Sequence, residues 1–211
     1  MRQILATFFF FTISLTAFPQ NDAQAVKILN KFSSLALGAP SVSMKFAIRT
    51  VDQVEGTDKT ISGSIILARD KYRLDLTDNI VWYNGETSWS YLPAEKEVTI
   101  SKSSRNDDSF QARPSAVFSI YKKGYKTRLL DEKSDSYLID LYPEDINSDH
   151  IRIRLNIGKP SFDLKSLEYK YKNGVTVTLS VTEYDLKQKP ENSVFVFAPE
   201  KYKDVEIVDM R

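Results

Sequence analysis

Apolar and polar residues alternate along most of this 211-residue chain, and this pattern constrains the fold more than any other feature. Such alternation is typical of β-strands with one buried face and one exposed face. It is clear in Val42, Met44, Phe46 and Ile48, which share one side of a strand. Further strands are predicted at residues 61–67, 72–76, 80–83, 87–91, 98–100, 125–130, 137–142, 151–157, 167–171, 175–182, 195–197 and 205–208.

Two Asn-Gly pairs indicate tight hairpin turns. Asn84-Gly85 and Asn173-Gly174 each stand between two strand patterns. The other connections are also short, so consecutive strands are expected to form a meander. A sheet of about 10–12 twisted strands does not stay flat. We therefore predict a mainly β, α+β fold in which a curled antiparallel sheet forms an incomplete, unclosed β-barrel with an apolar interior.

Two segments have helical spacing, and we expect them to cover the open side of the sheet as a lid. Residues 22–37 place apolar side chains on one stripe. Pro114 suits the first position of a second helix over residues 115–122, after a polar loop at residues 101–113. The lid residues predicted from these two segments are Leu29, Phe32, Val117, Phe118 and Tyr121.

The first twenty residues are predicted to be a cleaved secretory signal peptide. Arg2 precedes an uncharged apolar run at residues 4–17, which is too short to span about 30 Å of hydrocarbon. Cleavage near Gln20 or after Ala25 fits the pattern, and we favour the first because it leaves Asp22 to cap the helix. The mature domain is then residues 21–211, located outside the cytoplasm.

Composition argues against several classes of function. The chain has no Cys and one His, so thiolate zinc sites, cysteine catalysis and His-based triads are not expected. His150 is interpreted as a solvated residue at a loop edge. With 29 Lys+Arg against 28 Asp+Glu, there is no basic field to attract nucleic acid. Phosphate-loop, HExxH and GxSxG motifs are absent from the sequence, so we expect no enzyme activity, no cofactor and no metal.

The aromatic hairpin at residues 82–91 contains Trp82, Trp89, Tyr83 and Tyr91. These rings are either ordinary core residues or the wall of a cavity that keeps its shape when empty. Arg69 raises a similar question, because counting by two along its strand places it on the apolar face. It is either a strand end pointing to solvent or a rim residue whose donors bond to carbonyl groups of the lid.

Four segments together resemble the periplasmic outer-membrane lipoprotein carrier family, the LolA-type proteins. They are the opening helix AVKILNKF at residues 25–32, GSIILAR at 63–69, NGETSWSYLP at 84–93 and FVFAP at 195–199. The resemblance implies an unclosed barrel with a helical lid over a cavity for the acyl chains of lipoproteins. It also implies loading by an inner-membrane ABC-type release complex, delivery to an outer-membrane receptor or acceptor, and a monomer.

The resemblance assigns Arg69 as the lid latch, although Asp70 follows it where the family commonly has Pro, and Asp70 could pair with Arg69. The residues expected to line the cavity are Phe46, Ile48, Ile65, Leu67, Tyr72, Leu74, Trp82, Trp89, Tyr91, Val98 and Ile100. Two other functions remain open. The same fold could carry or sense another amphiphile, such as a glycolipid or a pigment. Alternatively, exposed aromatics on the convex face could bind polysaccharide.

Overall fold

The computed structural model describes residues 22–102 and 113–211. The expected signal peptide, and residues 103–112 of the expected polar loop, lie outside the described residues. The elements are α1 (Ala23–Gly38), β1 (Val42–Asp52), β2 (Thr57–Ala68), β3 (Lys71–Leu76), β4 (Ile80–Tyr83), β5 (Thr87–Leu92), β6 (Glu97–Lys102), β7 (Tyr125–Glu132), β8 (Ser136–Pro143), β9 (His150–Gly158), β10 (Leu164–Tyr171), β11 (Val175–Asp185) and β12 (Glu206–Asp209). Four short 3₁₀ helices cover Pro114–Phe118, Ile120–Lys122, Asn192–Phe195 and Pro199–Lys201.

The helix α1 begins and ends where the sequence predicts. Asp22 caps its first turn, because the Asp22 carboxylate accepts hydrogen bonds from the backbone N–H groups of Gln24 and Ala25. The helix ends at Gly38, and Pro40 cannot continue it.

The twelve strands form one curled sheet that does not close. Its order is β12-β6-β5-β4-β3-β2-β1-β11-β10-β9-β8-β7, so two meanders meet where β1 pairs with β11. The sheet edges β12 and β7 are not paired with each other. This confirms the predicted unclosed barrel, with one difference: β12 runs parallel to β6, whereas the other pairs are antiparallel.

Rows of opposed residues give the sheet an apolar inner face, which we define as the face turned toward α1. One row crosses four strands through Met44, Ile65, Leu74 and Val81. All four are buried in a core that also contains side chains of α1. The far meander contributes another part of the core, at Ile139, Leu141, Ile153, Leu155, Ile157, Leu164, Leu167 and Leu179.

Two sequence predictions of secondary structure need correction. The predicted helix at 115–122 is a pair of 3₁₀ helices, because Ser119 leaves helical geometry between them at φ −135°. The predicted strand at 195–197 is the end of a 3₁₀ helix followed by the extended Val196. Phe195 and Phe197 are both buried while Val196 is exposed, so this segment has strand-like alternation without pairing to a strand.

Candidate functional site

The inner face brings together about half of the predicted cavity residues and all of the predicted lid residues. We call α1 and the 3₁₀ helices Pro114–Phe118 and Ile120–Lys122 the lid. The residues buried in one cluster are Phe46, Ile65, Leu67, Tyr72, Leu74, Leu29, Phe32, Val117, Phe118 and Tyr121, with Ile48 partly buried against it. In this closed arrangement the lid side chains themselves occupy the space over the inner face. The empty hollow expected there is therefore filled by Leu29 and Phe32, which are fully buried.

The parts of the lid are joined by one ring contact and one hydrogen bond. The Phe32 and Phe118 rings are 5.3 Å apart between centroids. The Tyr121 hydroxyl donates a 2.7 Å hydrogen bond to Asn30 Oδ1. The helix α1 and the 3₁₀ segment are therefore packed on each other as well as on the sheet.

Asp22 fastens the lid to the edge strand β7. Its Oδ1 caps α1, while its Oδ2 accepts a 3.1 Å hydrogen bond from Leu129 N–H. The Asp22 N–H also donates to the Thr127 carbonyl at 3.2 Å. Hydrogen bonds from Ala25 and Leu129 lower the pKa of the Asp22 carboxyl. The sequence identifies Asp22 as a helix cap, but nothing local to it indicates a partner more than a hundred residues away.

A cavity of about 800 Å³ lies beside α1, between the helix and the rings of Tyr137 and Phe162, which pack against the same core as the inner face. We call it the lateral groove. Its lining residues are Gln24, Lys27, Ile28, Asn30, Lys31, Ser34, Tyr137 and Phe162. The rings of Tyr137 and Phe162 stack at 6.0 Å, and Lys159 Nζ lies 4.1 Å from the centroid of Tyr137. Sequence reasoning did not find this groove, because its two walls come from distant parts of the chain.

Trp82, Trp89 and Tyr91 of the aromatic hairpin lie on the outer face, which corrects their assignment to the cavity, whereas the Tyr83 ring lies on the inner face, 5.4 Å from that of Tyr72. Trp82, Trp89, Tyr91, Val98 and Ile100 belong to a separate cluster, which we call the outer cluster, and it also includes Phe197 and Tyr202 from the C-terminal segment. The Trp82 ring makes edge contacts with Phe197 at 5.4 Å and with Tyr202 at 5.8 Å.

The register between β3 and β4 explains this reversal. Leu74 is opposite Val81, so Trp82 is opposite Arg73 on the outer face. The Arg73 guanidinium lies 5.5 Å from the Trp82 ring centroid and hydrogen-bonds to Asp75. Strand β4 is therefore apolar on both faces, and beyond it the apolar side of β5 and β6 is the outer one.

Arg69 does not act as a lid latch in this structure. It lies in the turn between β2 and β3, exposed and at φ 57°. Neither Arg69 nor Asp70 makes a hydrogen bond or an ion pair with any described residue, so the two are not paired with each other. The strand ends at Ala68, one residue before the inward position that the alternation gives to Arg69.

His150 is less exposed than predicted. It is the first residue of β9, its Nε2 is 2.8 Å from the Tyr125 hydroxyl, and its ring contacts Tyr169 and Tyr171. Burial lowers the pKa of His150, although Asp149 opposes this effect. Within residues 22–102 and 113–211, three or more potential metal-ligating side chains do not cluster anywhere.

Residues 15–172 match the family described as outer membrane lipoprotein carrier protein LolA. This chain belongs to the LolA family. No curated protein matches it. Among the described helices, α1 included, none is both long enough and apolar enough to cross a membrane.

Solved structures resemble the chain at low identity. An uncharacterized conserved protein from Thermus thermophilus has a TM-score of 0.55 and 13% identity, and the match covers 88% of this chain and 99% of that protein. At this identity the match shows the fold alone. A LolA superfamily protein from Nitrosomonas europaea has a TM-score of 0.43 and 15% identity, with coverage of 82% and 97%. Mycobacterium tuberculosis lipoprotein LppX has a TM-score of 0.38 and 13% identity, with coverage of 75% and 95%.

Proposed function

We propose that this protein is a periplasmic chaperone that binds the acyl chains of lipoproteins on its inner face and carries them between membranes. Loading would come from an inner-membrane ABC-type release complex, and delivery would be to an outer-membrane receptor or acceptor. The observation that carries the proposal is an apolar inner face covered by a lid that contributes no strand to the sheet. Family membership supports the same role.

The cargo would take the place of the lid side chains. The inner-face residues Phe46, Ile48, Ile65, Leu67, Tyr72 and Leu74 would then contact acyl chain in place of Leu29, Phe32 and Phe118. An acyl chain of about 16 carbons gains on the order of 12 kcal/mol when fully buried, at about 0.8 kcal/mol per CH₂. Because the lid competes for the same surface, the net affinity is lower, and a receptor can then remove the cargo.

The proposed carrier works without chemistry on its cargo, as a monomer that needs no metal or cofactor. Asp22 also bears on the mature N-terminus. Cleavage after Ala25 would remove the cap and the first helical residues, whereas cleavage near Gln20 keeps both. We therefore propose the earlier site, and mass spectrometry of the exported protein would identify it.

The polysaccharide alternative finds less support. It requires exposed aromatics on the convex face, but Trp82 is only 3% exposed beneath Phe197 and Tyr202.

A matched pair of substitutions tests the proposal. Ile48 and Ile66 are partly buried isoleucines on neighbouring strands, and they lie on the inner and outer faces respectively. A fluorescent fatty acid should bind the mature protein and be displaced by a triacylated lipopeptide. Ile48→Gln should weaken this binding about tenfold, which corresponds to about 1.4 kcal/mol of lost apolar contact. Ile66→Gln should leave it unchanged.

Transfer to membranes completes this test. The protein should release a lipoprotein from spheroplasts and pass it to isolated outer membranes, and Ile48→Gln should reduce the transfer. If no probe binding is displaced by lipopeptide, or if both substitutions have the same effect, the inner face is not the cargo site.

A further inference from the structure

The two Asn-Gly pairs of the chain lie in turns with different surroundings. Asn84-Gly85 connects β4 to β5, and Asn173-Gly174 connects β10 to β11. An asparagine before a glycine is prone to cyclise, because glycine has no side chain to shield its backbone nitrogen from the carboxamide. Since both pairs share this chemistry, a difference in their reactivity must come from the fold.

The turn at Asn84 is held by several hydrogen bonds. Asn84 is half-buried, and its Oδ1 accepts from the backbone N–H groups of Glu86 at 3.0 Å and Thr87 at 2.9 Å. Its own N–H donates to the Thr87 carbonyl at 3.2 Å. The Tyr83 hydroxyl donates to the Gly85 carbonyl at 2.8 Å. Bonds in this set must break before the Asn84 carboxamide can turn toward the Gly85 nitrogen.

A negative charge also protects the Asn84 turn. A Cβ at Gly85 would lie 2.7 Å from Asp70 Oδ2, so this carboxylate lies directly against the glycine. Cyclisation requires the glycine nitrogen to lose its proton and become negatively charged. A neighbouring carboxylate disfavours that anion. The position of Asp70 therefore opposes the reaction at Asn84.

The turn at Asn173 lacks both forms of protection among the described residues. Asn173 is exposed, and its Oδ1 accepts one hydrogen bond there, from Val175 N–H at 3.1 Å. Gly174 N–H donates to the Tyr171 carbonyl only at 3.4 Å. The atom nearest to a Cβ at Gly174 would be the apolar Val54 Cγ2, at 3.2 Å. The groups that react at this turn are therefore less restrained and have an uncharged neighbour.

We propose that Asn173 is a site of spontaneous deamidation in the folded protein and that the fold protects Asn84. The Gly174 nitrogen bonds to Asn173 Cγ, the bond from Cγ to Nδ2 breaks, and the proton from Gly174 leaves with that nitrogen as ammonia. Water then opens the resulting succinimide at either carbonyl, which gives an aspartyl or an isoaspartyl residue. This proposal does not rest on the proposed carrier function.

The modification would change the end of the sheet where two turns meet. Gln53 N–H, in the turn between β1 and β2, donates to the Gly174 carbonyl at 3.4 Å. Both products place a new carboxylate beside this contact, and the isoaspartyl product also lengthens the main chain of the turn. Because each product lowers the net charge of the protein, ion-exchange chromatography separates them from the unmodified chain.

Comparison of the two sites in one sample tests the proposal. The mature protein would be incubated at mildly alkaline pH and digested in acid, and mass spectrometry would measure conversion at each asparagine. In the folded protein Asn173 should convert about tenfold faster than Asn84, the rate factor that corresponds to one additional hydrogen bond. In urea the two sites should react at similar rates, because both precede glycine.

Two substitutions of exposed acids test the protection by Asp70. Asp70→Ala should speed deamidation of Asn84 in the folded protein and leave Asn173 unchanged. Asp78→Ala is the matched control, because it removes the same charge from the turn between β3 and β4. It should alter neither rate.

Three results would overturn the proposal. Conversion of Asn84 as fast as Asn173 in the folded protein would mean that the fold does not select between them. Conversion of Asn173 in urea but not in the folded protein would mean that its turn is protected as well. Equal effects of Asp70→Ala and Asp78→Ala on Asn84 would indicate a general charge effect in place of the contact with Gly85.

Discussion

Two apolar surfaces of the sheet are covered by segments outside it, and the two covers are held differently. The lid rests on the inner face mainly through side chains, and Asp22 links it to β7 by accepting a hydrogen bond from Leu129 N–H and donating its own N–H to the Thr127 carbonyl. The cover of the outer cluster continues into β12, which is part of the sheet. There Glu206 N–H bonds to the Lys96 carbonyl at 2.9 Å and Met210 N–H to the Ile100 carbonyl at 2.8 Å.

This difference indicates which cover can move. Removing the C-terminal cover breaks a ladder of backbone hydrogen bonds between β12 and β6. Removing the lid exposes apolar surface, which the proposed acyl cargo would cover again. The outer cluster is therefore expected to be structural, and the inner face to be the exchangeable surface.

The largest expected loss of stability comes from a substitution in the outer cluster. Trp82→Ala should destabilise the protein by about 3–5 kcal/mol, because it leaves a void beneath Phe197 and Tyr202. Chemical unfolding followed by circular dichroism measures the change. Fatty-acid binding by the remaining folded protein should be unaltered. If binding fell along with stability, the two surfaces would not be independent.

A lid substitution should separate stability from binding. Phe118→Ala removes the ring that packs on Phe32. It should lower the free energy of unfolding by about 3 kcal/mol, near the lower end of the range for Phe→Ala substitutions in a core. The lid then competes less well for the inner face. Fatty-acid binding should tighten, by about tenfold for each 1.4 kcal/mol of lid packing lost. Weaker binding would mean that the Phe118 ring contacts the ligand directly.

Substitution of Asp22 is expected to cause a smaller loss of stability that depends on pH. Asp22→Ala should cost about 0.5–2 kcal/mol at neutral pH. Asp22→Asn keeps the cap but loses the acceptor for Leu129, so it isolates the link to β7. Because the folded-state pKa is lowered, the stabilisation is present above the unfolded pKa and is lost as pH falls through the folded pKa. Unfolding midpoints of both variants should therefore approach that of the unmodified protein in acid, and a pH-independent difference would contradict this.

The smallest effect is expected at Arg69. Arg69→Leu should change stability by less than about 0.5 kcal/mol, because the residue is exposed and unpaired within the described part of the chain. Transfer of lipoprotein to outer membranes should keep its rate. Slower transfer would instead support the lid-latch role that the family resemblance implies for Arg69.

Local sequence patterns predicted much of the fold. Alternation located the strands, and the Asn84-Gly85 turn is present with Gly85 at φ 101°. Trp82 of β4 lies directly opposite Trp89 of β5, so the two rings share a face, as their joint assignment to one cavity predicted.

Which face these residues occupy could not be read from the strands alone. It depends on the loop between β3 and β4, where Leu76 N–H bonds to the Asn79 carbonyl and leaves Thr77 and Asp78 as a two-residue loop. One more or one fewer loop residue would reverse every side chain beyond it. The lateral groove and the second role of Asp22 escaped prediction for a related reason, because each joins residues that are distant in the chain.

Movement of the lid on cargo binding tests the central claim most directly. Since the chain has no Cys, spin labels can be placed cleanly at Ser34→Cys in α1 and Lys170→Cys in β10. A second pair, at Thr60→Cys and Lys170→Cys, spans only the sheet and serves as the control. Saturation with triacylated lipopeptide should shift or broaden the distance between Ser34 and Lys170 while the control distance stays constant. If lipopeptide binds and both distances are unchanged, the cargo does not replace the lid on the inner face.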